Sequence, residues 1–134
     1  MEPETQMGGE PAQQSHPREL ICDFSDATAE LLPMFRELTK KYYEVTPLDR
    51  YRIKFLFSHK ERKSKGRKIL GTCKPFPAKD KLLHDWDAVI VFDYFWWEAN
   101  PDNRRALMFH ELCHLEVVDM LLGVNARGFL NIAI

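Results

Sequence analysis

Two periods of hydrophobic and polar residues run along this chain, and the places where one gives way to the other mark its elements. Tyr51 to Phe57 reads Tyr-Arg-Ile-Lys-Phe-Leu-Phe, an alternation of period two in residues that suit a pleated surface, and predicts a strand. Asp87 to Tyr94, Asp-Ala-Val-Ile-Val-Phe-Asp-Tyr, is the clearest strand in the chain. Arg67 to Cys73 reads as the hairpin partner of Tyr51 to Phe57. Before these strands, Ser25-Asp26 opens a helix reaching about Tyr43, with Leu31, Leu32, Phe35, Leu38 and Tyr42 along one side. Pro33 falls in its first turns, where it is tolerated, and Lys40-Lys41 suits its negative end.

After the last strand comes a second helical signal. Asn100-Pro101-Asp102 combines a capping side chain, a proline suited to the first helical position and an acid at the positive helix end. Asn103 to Leu122 then holds neither Gly nor Pro, and Gly123 is a natural stop. At about 100° per residue, Ala106, Leu107, His110, Cys113, His114, Val117, Val118 and Leu121 form one arc, with Glu111 at its border. Helix, strands, then a helix gives an α+β order, with an N-terminal helix and a small, mostly antiparallel sheet.

The ends of the chain differ from its middle. Residues 1–18 are rich in Glu, Gln, Gly and Pro, and the expectation is a disordered leader in which His16 is solvated. A single domain over 19–134 follows, of a size that buries a modest core. The apolar tail Gly128 to Ile134 reads as a last strand, as a partner-binding edge, or as the stump of a longer protein, so a domain cut short at its C-terminus is among the expectations. Net charge is −1, which sets up no global field toward nucleic acid or membrane. The local exception is the basic loop Lys60 to Lys68, read first as a solvated hairpin tip and second as a weak nucleic-acid contact through phosphates. Three cysteines leave one unpaired in any disulfide scheme, and no long apolar run is present. The expectation is free thiols in a cytoplasmic protein without a membrane span, its oligomeric state open.

Candidate chemistry sits on the second helix. His110-Glu111-Leu112-Cys113-His114 is an HExxH sequence. Helical residues four apart lie one above the other, so two imidazoles at this spacing grip one metal ion, with the glutamate near enough to act on its bound water. The bland alternative is a pair of core histidines satisfied by polar neighbours, but two His and a Glu at ligand spacing are costly to bury without a purpose. The reading is therefore a Zn2+ site with His110 and His114 as metal ligands, Glu111 as the catalytic acid and base, and no organic cofactor. Cys113 points away from the histidines' shared space and is expected in the core. The Val89 to Phe92 strand is the expected seat for an extended peptide or protein substrate.

From about Lys68 to His114 the chain resembles the phage metallopeptidases, small HExxH proteins of phages and prophages. The resemblance is carried by Lys68-Ile69-Leu70-Gly71, the strand Asp87 to Val91, the aromatic pair Trp96-Trp97, and Leu107 to His114. The order is also similar to the minimal gluzincin core of SprT-like proteases. The resemblance implies a zincin-like fold and a zinc-dependent metallopeptidase, a hydrolase of peptide bonds. It also implies a third protein ligand downstream, and here the sequence departs from the pattern. On an unbroken helix Glu116 lies about 160° and Asp119 about 140° around from His114, out of reach of the same ion. His84, Asp93 and Glu98 are the other candidates, each more readily structural. A degenerate, non-catalytic zincin that binds metal or a partner is the competing expectation.

Overall fold

The computed structural model describes residues 18–125, so the N-terminal leader up to Pro17 and the apolar tail lie outside the described residues. Of the leader only Arg18 is described. Its guanidinium donates to Glu30 at 2.6 Å and lies over the rings of Phe57 and Tyr94, at 4.9 and 5.2 Å.

The architecture is α+β. A four-stranded sheet holds β1 (Phe24–Asp26), β2 (Ile53–Ser58), β6 (Ala88–Asp93) and β5 (Gly71–Pro75), in that spatial order. The two outer pairings are antiparallel and the central β2–β6 pairing is parallel. Between β2 and β5 projects a small exposed ribbon, β3 (Lys63–Ser64) with β4 (Arg67–Lys68). Among the described residues three α-helices accompany the sheet: α1 (Thr28–Lys41), α2 (Tyr94–Ala99) and α3 (Arg104–Leu112). A final hairpin, β7 (Leu115–Val118) with β8 (Leu121–Val124), follows directly. Among the described residues no helix is long and apolar enough to cross a membrane.

The alternation read in the sequence decides which face of the sheet is covered. Ile53, Phe55 and Phe57 of β2 pair with Ala88, Ile90 and Phe92 of β6, and all six are buried. Against them pack Leu31, Phe35 and Leu38 of α1, Trp97 of α2, and Leu107, Met108 and Leu112 of α3. Ring contacts knit the layers: Phe55 stacks on Phe92 at 6.4 Å, and Phe92 meets Trp97 at 4.6 Å. Each such side chain, fully buried, contributes roughly 1.5–3 kcal/mol through the area it removes from water. Trp97 is thus a core residue, whereas Phe95 stays exposed.

Four expectations need correction. Ser25 and Asp26 do not begin α1. They lie in β1, where the Asp26 carboxylate accepts from the Thr28 amide at 2.8 Å and pairs with Lys54, so the helix starts two residues later. The strand at residues 71–75 is not the partner of β2. It pairs with β6, because the continuous apolar run of β6 suits a strand buried on both faces and claims the interior position. That same interior position overturns β6 as a seat for substrate, since both its edges are already paired. The edge strand on this side is β5.

The fourth correction concerns the second helix, which ends at Leu112 rather than Leu122. Leu115 to Val118 and Leu121 to Val124 are apolar and partly β-branched, and they pair with each other across a two-residue turn at Asp119 and Met120. Asn125, emerging from β8, donates its amide to the His114 carbonyl at 2.8 Å and its side-chain N–H to the Cys113 carbonyl at 3.0 Å. These bonds satisfy carbonyls that a further helical turn would have used, so the hairpin itself terminates the helix.

Candidate metal centre

His110 and Glu111 occupy the last turn of α3, and His114 the turn just beyond it. The backbone keeps winding there: the Cys113 amide donates to Phe109 at 2.9 Å and the His114 amide to Glu111 at 3.1 Å. Stacking at four-residue spacing therefore survives the end of the helix, and the Nε2 atoms of His110 and His114 face each other 3.2 Å apart. Their rings are nearly perpendicular, at 83°.

Two nitrogens bound to one tetrahedral zinc ion, each about 2.0–2.1 Å from it, lie about 3.3 Å apart. The observed separation matches. Burial, assisted by the neighbouring His114, holds the His110 pKa below the usual histidine value, which favours the neutral ring that a metal ion needs. The Nδ1 of His110 is buried with no partner among the described residues. The donor pair thus fits a zinc ion in type and spacing. Completion of the shell is another matter: among the described residues no group of three His, Cys, Asp or Glu side chains is placed to hold an ion.

None of the candidates for the third position joins the two histidines among the described residues. His84 accepts from the Trp86 amide at 3.1 Å and packs its ring on Phe76. Asp93 caps α2, accepting from Trp96 at 2.9 Å, with Lys68 3.6 Å away. Glu98 pairs with Arg104 at 3.7 Å. Glu116 stands opposite Gly123 within the β7–β8 ladder, and Asp119 forms the exposed turn of that hairpin. The turn after His114, which an unbroken helix would have denied them, does not bring either acid to the histidines.

Glu111 differs from its expected setting. It is buried, only 6% exposed, while His110 and His114 are half-buried; the covered face of α3 is Leu107, Met108, Glu111 and Leu112. The reason is Gly71 on β5, which carries no side chain where the glutamate passes. A Cβ there would come within 3.1 Å of Oε2 of Glu111. Burial pushes the Glu111 carboxyl up to about 7, against the opposing pull of the Arg62 charge.

Gly71 and Arg62 are the two residues of this neighbourhood that the sequence did not single out for chemistry. Gly71 closes the Lys68-Ile69-Leu70-Gly71 run, and that motif was its only signal. Arg62 lies hidden in a loop of exposed lysines and arginines, and nothing in its sequence context separates it from them. The cysteines behave as expected. All three are free, Cys113 is part of the core, and burial raises the Cys113 thiol to about 11 and that of Cys73 to about 12.

Comparison with known proteins agrees with the motif. A sequence model of the family described as "Putative phage metallopeptidase" matches residues 22–123, which include β1, the whole sheet, α3 and both histidines. No curated protein and no solved structure matches the chain.

Proposed function

The chain belongs to the phage metallopeptidase family, and we propose that it is a zinc-dependent peptidase of zincin-like fold whose reaction is run by His110, Glu111 and His114. One observation carries this reading: the two Nε2 atoms converge at 3.2 Å, the separation of two ligands on one tetrahedral ion, directly beside a buried glutamate. His110 and His114 would hold the metal. Bound there, zinc supplies Lewis acidity and lowers the pKa of water toward neutrality.

The remaining chemistry belongs to the chain. Glu111 takes the proton of the attacking water as that oxygen bonds to the scissile carbonyl carbon, then delivers the proton to the leaving nitrogen as the C–N bond breaks. Its buried position against Gly71 restricts its rotamers and holds it ready for that shuttle. An extended peptide pairs with the edge of β5, the strand that packs against α3 and contains Gly71. A peptide or protein is the substrate under this reading.

A second reading is favoured by the missing third ligand among the described residues: a degenerate zincin that binds metal or a partner without cleaving. The two separate experimentally. Elemental mass spectrometry of the untagged protein is expected to give about one zinc per chain, lost in H110A and H114A. E111Q is expected to retain the zinc and lose hydrolysis of an unstructured protein such as casein. Zinc retained by both proteins, with no hydrolysis by wild type, would leave the binding module as the correct reading. Absence of zinc from wild type grown with zinc would remove the peptidase reading and leave only the partner-binding form of the second.

A further inference from the structure

Arg62 is set apart from the rest of the basic loop by burial and by what it fails to bond. It lies just before β3, its carbonyl accepting from the Ile69 amide at 2.8 Å, at the base of the exposed β3–β4 ribbon. Its Nη1 donates to Thr72 Oγ1 on β5 at 3.3 Å, which ties the guanidinium to the edge strand. Its Nε and Nη2 are buried and have no hydrogen-bond partner among the described residues. Among the described residues Arg62 forms no ion pair, although Asp93 and Glu111 are the charges nearest enough to act on it.

The two open atoms are informative as a pair. Nε–H and Nη2–H lie on one edge of the guanidinium and point the same way, forming the fork that matches both oxygens of a carboxylate. A buried donor without an acceptor costs free energy in the free protein, and here two such donors lie side by side. Asp93 does not fill them: it is fully buried, spends Oδ2 on capping α2, and its Oδ1 has no hydrogen-bond partner among the described residues.

We propose that Arg62 is a specificity-determining residue that binds a carboxylate of the substrate through its Nε/Nη2 fork. This deepens the peptidase reading and rests on it, because the guanidinium feels the Glu111 charge and is hydrogen-bonded to Thr72 of the strand that would hold the peptide. The ligand chemistry is a carboxylate, from either the C-terminus of a peptide or an Asp or Glu side chain. The fork is buried in the free protein, so a carboxylate reaches it only with local movement around Arg62, which lies at the base of a ribbon exposed at all four of its paired positions.

The test uses the full-length protein stripped of metal, so that binding is read without hydrolysis and without carboxylate coordination to an ion. The probes are acetyl-dialanine as free acid, acetyl-dialanine amide, and acetyl-glutamate amide, followed by calorimetry. The expected result is at least about tenfold tighter binding of one acid probe over the amide, reduced to parity in R62Q and partly kept in R62K. Preference for the free acid assigns the fork to a C-terminus, and preference for the glutamate probe to an acidic side chain. Equal binding of all three probes by wild type overturns the proposal, as does a preference that persists unchanged in R62Q. The wild-type comparison does not depend on either variant folding. Failure of the peptidase reading has a different signature, an absence of hydrolysis alongside intact acid preference.

Discussion

A Cβ placed on Gly71 would lie 3.1 Å from Oε2 and 3.2 Å from Cγ of Glu111, closer than most side-chain contacts in folded proteins. The obstacle is the mobile end of a side chain rather than backbone, so the fold can absorb it by moving the carboxylate. For G71A we therefore expect thermal stability within about 1 kcal/mol of wild type but roughly a tenfold loss of kcat, since small displacements of a reacting group are costly. A variant with normal turnover would show that the position of Glu111 is not set by this contact. The thiols are graded in the same local way. Cys22 is exposed at a positive φ of 51°, while burial raises Cys73 and Cys113 to about 12 and 11. Iodoacetamide at pH 8 is expected to modify Cys22 within minutes and the other two only after denaturation. Rapid native labelling of two or three thiols, counted by intact mass, would contradict that grading. At this scale His110, Glu111 and His114 were legible because their spacing alone brings them together on a helical turn. Arg62 and Gly71 were not, because each matters through a neighbour far away in sequence.

Elements show a different division. The cores of β2 and β6 were readable from alternation and from an unbroken apolar run, because both patterns report which faces are buried. Their partners were not, since register and strand order depend on competition among all the strands: β6 takes the interior, and β5 is left at the edge. The end of α3 was misread for a related reason. No Gly or Pro lies between Asn103 and Leu122, and the stop comes instead from hydrogen bonds made by Asn125, eleven positions beyond His114. The β7–β8 hairpin pays a conformational cost for this arrangement. Asp119 and Met120 both have positive φ, 51° and 66°, the type I′ pattern that Asn-Gly serves best. Asp tolerates that region; Met, with its Cβ, does not. M120G is accordingly expected to stabilise the protein by about 1 kcal/mol, raising Tm by about 3–5 °C. Its side chain is 84% exposed, so little packing is lost in exchange. An unchanged or lower Tm in calorimetry would mean that the turn is not strained as its backbone angles indicate.

At the scale of the whole molecule, the sheet, α3 and the last hairpin meet at one place, where Gly71 of β5 touches Glu111 and Asn125 holds the carbonyls of Cys113 and His114. The α+β order was visible in the sequence, but this meeting was not, because it depends on the chain turning back after His114. A metal ion held by His110 and His114 would bind only where this meeting is formed, so it would stabilise the folded chain by mass action. At a free zinc concentration a hundredfold above Kd that amounts to about 2.7 kcal/mol, or a rise of about 10 °C in Tm for a domain of this size. Wild type and E111Q are both expected to show the rise and to lose it in excess chelator, since the glutamate is not a ligand. H110A and H114A are expected to melt at the same temperature with and without zinc. The unfolded chain also carries these histidines and three thiols, and its weaker zinc binding works against the shift. A zinc-dependent rise of equal size in H114A would therefore place the ion elsewhere on the molecule and separate metal binding from the HExxH turn.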